Sequence, residues 1–106
     1  MLSKIKVIRP EGMLDASKSA VFRQQIQEVI ATGCNLVLVD LEKINFMDSS
    51  GLGALVLALK LLREKGGKLF LMSPNEQVKM LFDLTNTAHF FEIDKDKAEL
   101  EAKLNG

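Results

Sequence analysis

Tryptophan and tyrosine are absent from this chain of 106 residues, and cysteine and histidine occur once each. A lone Cys34 closes no internal disulfide, and Cys34 with His89 cannot assemble a structural zinc site. Neither a metal nor a cofactor is therefore expected. An excess of either charge is missing too, since 14 Lys and Arg offset 14 Asp and Glu. That balance gives no general attraction to nucleic acid or to an anionic membrane, so neither is expected as a partner. The six Phe are needed for a core, which argues against a base-stacking platform. The start, Met1 to Lys6, has no apolar run of signal-peptide length. The longest apolar stretch, Phe46 to Leu59, is broken by Asp48 and two serines and is too short to span a bilayer. A cytoplasmic protein with a reduced Cys34 is the expectation.

What is present suits a single folded domain over residues 1–106, with 47% apolar and 26% charged residues. Ile5 to Ile8 reads as a short strand closed by Pro10 and Gly12. Asp15 or Ser17 then caps a helix whose stripe is Phe22, Ile26, Val29 and Ile30, and Gly33 stops it. The unbroken run Leu36-Val37-Leu38-Val39 predicts a strand covered on both faces, as in the middle of a parallel sheet. Leu41 to Met47 reads as a connecting loop. A second helix is predicted from Ser49 or Ser50 to about Lys65, and a strand at Leu69 to Met72. Ser73-Pro74-Asn75-Glu76 reads as a capping box with Ser73 as cap, opening a third helix with Val78, Leu81 and Phe82 inside. Phe90-Phe91 is assigned to a last strand, and Asp94 to Leu104 to a charged final helix held by Ala98, Leu100 and Leu104. The order β-α-β-α-β-α-β-α implies an α/β fold with a mainly parallel sheet of four to five strands and about four helices. Function in such sheets gathers where strands end and helices begin.

The informative stretch is Phe46-Met47-Asp48-Ser49-Ser50-Gly51-Leu52-Gly53. It places two hydroxyls at a helix start, where free amides and the helix dipole favour negative charge. Gly51 and Gly53 keep the first turn slim, so another backbone can approach. Ordinary capping is the commoner reason for the same residues. A phosphate-binding loop fails because Val56 stands where a third glycine belongs, and the G-x-S-x-G elbow is absent. A Ser-His-Asp triad would have to recruit His89, which reads instead as a partly buried residue at a strand end. On the second helix Leu52, Leu55, Val56, Leu59 and Leu62 share a face that should enter the core. Leu57 and Leu61 fall on another side, near Gly53 and Ala54. They form either a second core contact or an exposed docking patch.

Asp48-Ser49-Ser50-Gly51-Leu52-Gly53 resembles the signature of the STAS domain, as found in bacterial anti-sigma factor antagonists. The resemblance runs from about Ile5 to Glu92. Gly12-Met13-Leu14-Asp15 is similar to the family's G-x-L-D turn, and Gly66-Gly67, Ser73-Pro74 and Val78 to Phe82 to its later landmarks. The resemblance implies a STAS-like domain acting as a partner-switching module and not as an enzyme. In that scheme the dephosphorylated form binds an anti-sigma Ser/Thr protein kinase. Phosphorylation of the first serine after the aspartate, here Ser49, releases it, and a Ser/Thr phosphatase resets it. Asp15 and Asp48 are then acidic neighbours in recognition, and Ser50 and Gly51 line the same helix start. An adaptor in another signalling or transport-accessory complex is the alternative. The family usually carries an extra strand before Ile5, where here only Met1-Leu2-Ser3 stand. The expectation is a monomer or weak homodimer, with Lys4 and Lys6 opposing pairing at that edge.

Overall fold

The computed structural model describes residues 5–94. Its elements in chain order are β1 (Ile5–Ile8), β2 (Gly12–Leu14), α1 (Ala16–Ala31), β3 (Leu36–Asp40), β4 (Ile44–Met47), α2 (Ser49–Glu64), β5 (Lys68–Met72), α3 (Glu76–Leu84), a 3-10 helix (Ala88–Phe90) and β6 (Glu92–Asp94). Four strands form one sheet in the order β1-β3-β5-β6, and β2 and β4 form a separate ribbon. Every pairing is parallel. The architecture is the expected α/β one, with three α-helices among the described residues. The predicted final helix, Asp94 to Leu104, lies outside them apart from Asp94, which ends β6.

Alternation along the central strands sorts their side chains onto two faces. Val37, Val39, Leu69 and Leu71 join Phe22, Ile26, Leu55, Leu62 and Phe82 in the main core. Leu38, Phe70 and Met72 form a second buried cluster, with Ile5, Val7 and Leu36 packed against it. The run at β3 is thus buried on both faces, as its unbroken apolar character predicts. Asp40 ends β3 as a buried charge. Its carboxylate accepts from the Arg9 guanidinium at 3.2 Å and from the Glu42 amide at 3.0 Å, which turns the chain toward β4. Those partners are what a buried carboxylate requires.

Several of these expectations need correcting. Gly12–Leu14 and Ile44–Met47 are strands, where a turn and a loop were expected. Each is three or four residues long and exists through its pairing with the other, about thirty positions away. The cap of α3 is Asn75, whose side chain accepts from the Val78 amide. Ser73 instead takes a left-handed backbone with φ 58°, outside the helix. Phe90 closes a 3-10 helix, and the last strand starts only at Glu92. His89 accordingly is exposed, its ring 4.3 Å from that of Phe90, and not at a strand end. Val56, expected in the core, is exposed. The buried face of α2 is centred further round and includes Gly51, Ala54 and Ala58 beside the leucines.

Elsewhere the helices follow their patterns. Asp15 caps α1, and Phe22, Ile26 and Val29 are its buried stripe. Gly33, at φ 87°, ends it in a conformation that side chains rarely adopt. Leu55 of α2 is fully buried in the main core. Leu55→Ala is expected to cost about 2–5 kcal/mol, the range for a buried leucine that leaves a cavity. Urea denaturation of both forms checks it.

Candidate functional site

The β2–β4 ribbon builds the site. Its register pairs Leu14 with Met47, and both are buried. Because the strands run parallel, the chain leaves both at the same end, through Asp15 and Asp48. Each of these acids caps the helix that follows. Asp15 accepts from the Ser17 amide at 3.0 Å and from the Ser17 hydroxyl. Asp48 accepts from the Gly51 amide at 3.0 Å. Two helix N-termini are thereby set side by side, and the helices pack along each other. The Ser19 hydroxyl lies within hydrogen-bonding reach of two carbonyls, that of Asp15 at 2.7 Å and that of Ser50 at 3.2 Å.

Within this frame Ser49 is the first residue of α2 and is exposed, as is Ser50. Gly51 is buried against the end of β2. A β-carbon there would sit 2.1 Å from the Leu14 carbonyl oxygen, so only glycine lets α2 approach the ribbon this closely. The Asp48 amide donates to that same carbonyl at 3.3 Å. Gly53, in contrast, faces open space. It lines a groove of about 360 Å³ between the first halves of α1 and α2, together with Ala16, Ala20, Arg23, Ser50 and Leu57. Leu61 lies one turn beyond Leu57 and packs against the main core. The structure therefore brings Asp15, Asp48, Ser49 and Ser50 to one rim, with Gly53 and Leu57 in the adjoining groove. Gly51 is buried beneath that rim, and Leu61 stands apart from it.

Sequence reasoning passed over three contributors. Met13 and Phe46 are register partners on the ribbon, and both side chains are exposed next to the paired caps. Gln77 of α3 binds the main chain of Met47. Nothing in the local sequence marks a glutamine as the partner of a strand thirty residues earlier.

The Ser17 hydroxyl, then the amides of Ser17 and Lys18, hold the Asp15 carboxyl below its ordinary pKa. The Lys18 charge acts in the same direction, and its ammonium bonds the Glu11 carbonyl at 2.7 Å. Among the described residues no group of three or more His, Cys, Asp or Glu is placed to hold a metal ion, and no helix is long and apolar enough to cross a membrane.

Two short parallel strands, each followed by an aspartate that caps the next helix, make this site part of an α/β domain. The chain belongs to the STAS domain family, whose pattern it matches over residues 2–100. It is 34% identical to the anti-sigma F factor antagonist of Paenibacillus polymyxa, over 76% of this chain and 70% of that protein. The crystal structure of TM1081 from Thermotoga maritima superposes with a TM-score of 0.89 at 26% identity, covering 96% of this chain and 88% of that one. The Bacillus protein SpoIIAA, solved in its phosphorylated form, shares the fold, with a TM-score of 0.72 at 22% identity over 96% of each chain.

Gly51→Ala is expected to destabilise by about 2–3 kcal/mol, since its methyl meets an immovable carbonyl. Gly53→Ala, in open space on the same turn, is expected to stabilise by about 0.5–1 kcal/mol through helix propensity. Opposite shifts of the urea midpoint check the pair. Because the folded-state pKa of Asp15 is depressed, its contribution to stability is complete above the unfolded value near ~3.9 and is lost as pH falls through the lower folded value. Acid titration of Asp15→Asn against the native chain should show the two stability curves converging in that window.

Proposed function

We propose that this protein is an anti-sigma factor antagonist that works by partner switching, with Ser49 as its phosphoacceptor. One observation carries the reading: Ser49 stands exposed as the first residue of α2, directly after the capping carboxylate of Asp48, on a rim that a second protein can reach. In the dephosphorylated state this rim docks on an anti-sigma Ser/Thr protein kinase and frees what the kinase was holding. Asp15, Asp48 and Ser50 meet the kinase there, Gly53 and Leu57 admit its backbone into the groove, and Met13 and Phe46 supply apolar contact. Gly51 serves by letting α2 sit close to the ribbon. The kinase transfers a phosphoryl group to the Ser49 hydroxyl, and a Ser/Thr phosphatase removes it. The protein itself catalyses nothing and acts in the cytoplasm.

Physical chemistry makes the switch sufficient. A phosphate brings about −1.5 to −2 charges to a serine. At Ser49 it would stand beside Asp48, at the end of the ribbon where Asp15 also caps a helix. The helix dipole and free amides at the start of α2 tolerate that charge within the fold. A close interface does not, because the phosphate and both acids would have to be desolvated together. Disrupting a buried charged contact costs about 2–5 kcal/mol, enough to release a partner with no change of fold.

The test is phosphorylation in a lysate of the native cell supplemented with ATP. The wild-type chain is expected to gain one phosphoryl group by mass, mapped to Ser49, and Ser49→Ala to gain none. Ser49→Asp should lose the kinase that co-purifies with Ser49→Ala. Undiminished phosphorylation of the alanine form removes Ser49 from the role.

A further inference from the structure

One edge of β4 pairs with β2, and the other is closed by side chains rather than by a strand. Asn75 caps α3 through its oxygen, which accepts from the Val78 amide. Its amide nitrogen meanwhile donates to the carbonyls of Ile44 and Asn45, each at 3.1 Å. Two residues on, the Gln77 oxygen accepts from the Met47 amide at 2.9 Å, and the Gln77 nitrogen donates to the Met47 carbonyl at 2.8 Å. A carboxamide that exchanges both bonds with a single residue reproduces one rung of an antiparallel ladder. The first turn of α3 thus stands in for a third strand on a two-stranded ribbon, which alone would be marginal.

The position of that rung matters. Met47 immediately precedes Asp48, the cap of α2, and Ser49 follows. Met47 itself is fully buried, so its main chain has little solvent to fall back on if Gln77 withdraws. We infer that Gln77 is a positioning residue for the rim: it fixes the Met47 peptide, and through it the Asp48 cap and the presentation of the Ser49 hydroxyl. The functional half of this inference rests on Ser49 being the phosphoacceptor. With Gln77 in place the rim is held ready for a kinase. Without it the competent arrangement is one of several, and the apparent affinity falls by the fraction of time it is occupied.

The test pairs two readouts on the full chain. The first is amide hydrogen exchange of Gly51, whose N–H bonds Asp48 and does not touch Gln77, with Leu38 as the core reference. Gln77→Met, similar in length and unable to bond, is expected to speed Gly51 exchange about tenfold while Leu38 keeps its rate. Gln77→Glu retains the acceptor for the Met47 amide and loses the donor. It should shift Gly51 in the same direction by less, and it serves as the probe if the Met form does not fold. The second readout is the rate of Ser49 phosphorylation in the native lysate against added protein concentration. The half-saturating concentration is expected to rise about tenfold with Gln77→Met, at an unchanged plateau. Unchanged Gly51 exchange overturns the inference, as does equal acceleration of Gly51 and Leu38, which would make Gln77 a general stabiliser. So does an unaltered saturation curve when the wild type is phosphorylated. If the wild type is not phosphorylated on Ser49, the phosphoacceptor reading fails, and the exchange data alone decide whether Gln77 holds the rim.

Discussion

The pairing of Leu14 with Met47 is the constraint on which the rest of the site depends. Two short strands run parallel and in register, so the two aspartates that follow them leave the ribbon together. Each then does the same local job, satisfying amides at the start of a helix. A slip of one residue would turn the inward side chains outward and separate the caps. The carbonyl of Leu14 tightens the arrangement further. It receives the Asp48 amide and occupies the space that a side chain at position 51 would need.

From that constraint comes the surface on which the proposed switch rests. The rim is made of short side chains and helix starts, which are rigid because capped. The groove beside it is lined by alanine and glycine with Leu57 and Arg23. Such a surface can be approached closely by another backbone, and close approach makes it sensitive to added charge. The rest of the molecule is a support: a four-stranded parallel sheet, buried on both faces along β3, against which the helices are seated. The proposed regulation then requires only a change in what the surface accepts.

Much of this was legible along the chain. The unbroken run at Leu36–Val39 and the capping pattern before α2 are strong local signals, because burial and hydrogen bonding leave them in neighbouring residues. The short strands were not legible. Gly12–Leu14 has three residues and Ile44–Met47 has exposed Asn45 and Phe46 at its centre, so neither shows alternation. The reading of α2 was displaced for a related reason. Leucines drew the expected face toward Val56, whereas the buried face is centred on the side of Ala54 and Ala58. Small residues carry little hydrophobic signal, yet they permit close packing. At α3 the capping box pointed to Ser73, but Asn75 has the cap and also reaches the carbonyls of Ile44 and Asn45.

The sequence by itself determined the local features of this protein: a serine after a capping aspartate, two glycines in one turn, and alternating strands and helices. These depend on neighbours within a few positions, where the covalent chain does the placing. Tertiary structure alone decided that the two caps stand side by side, that one glycine is buried and the other open, and that a glutamine on α3 completes the edge of β4. Those relations join residues roughly thirty apart, and only packing against a common core brings such residues within reach of a hydrogen bond.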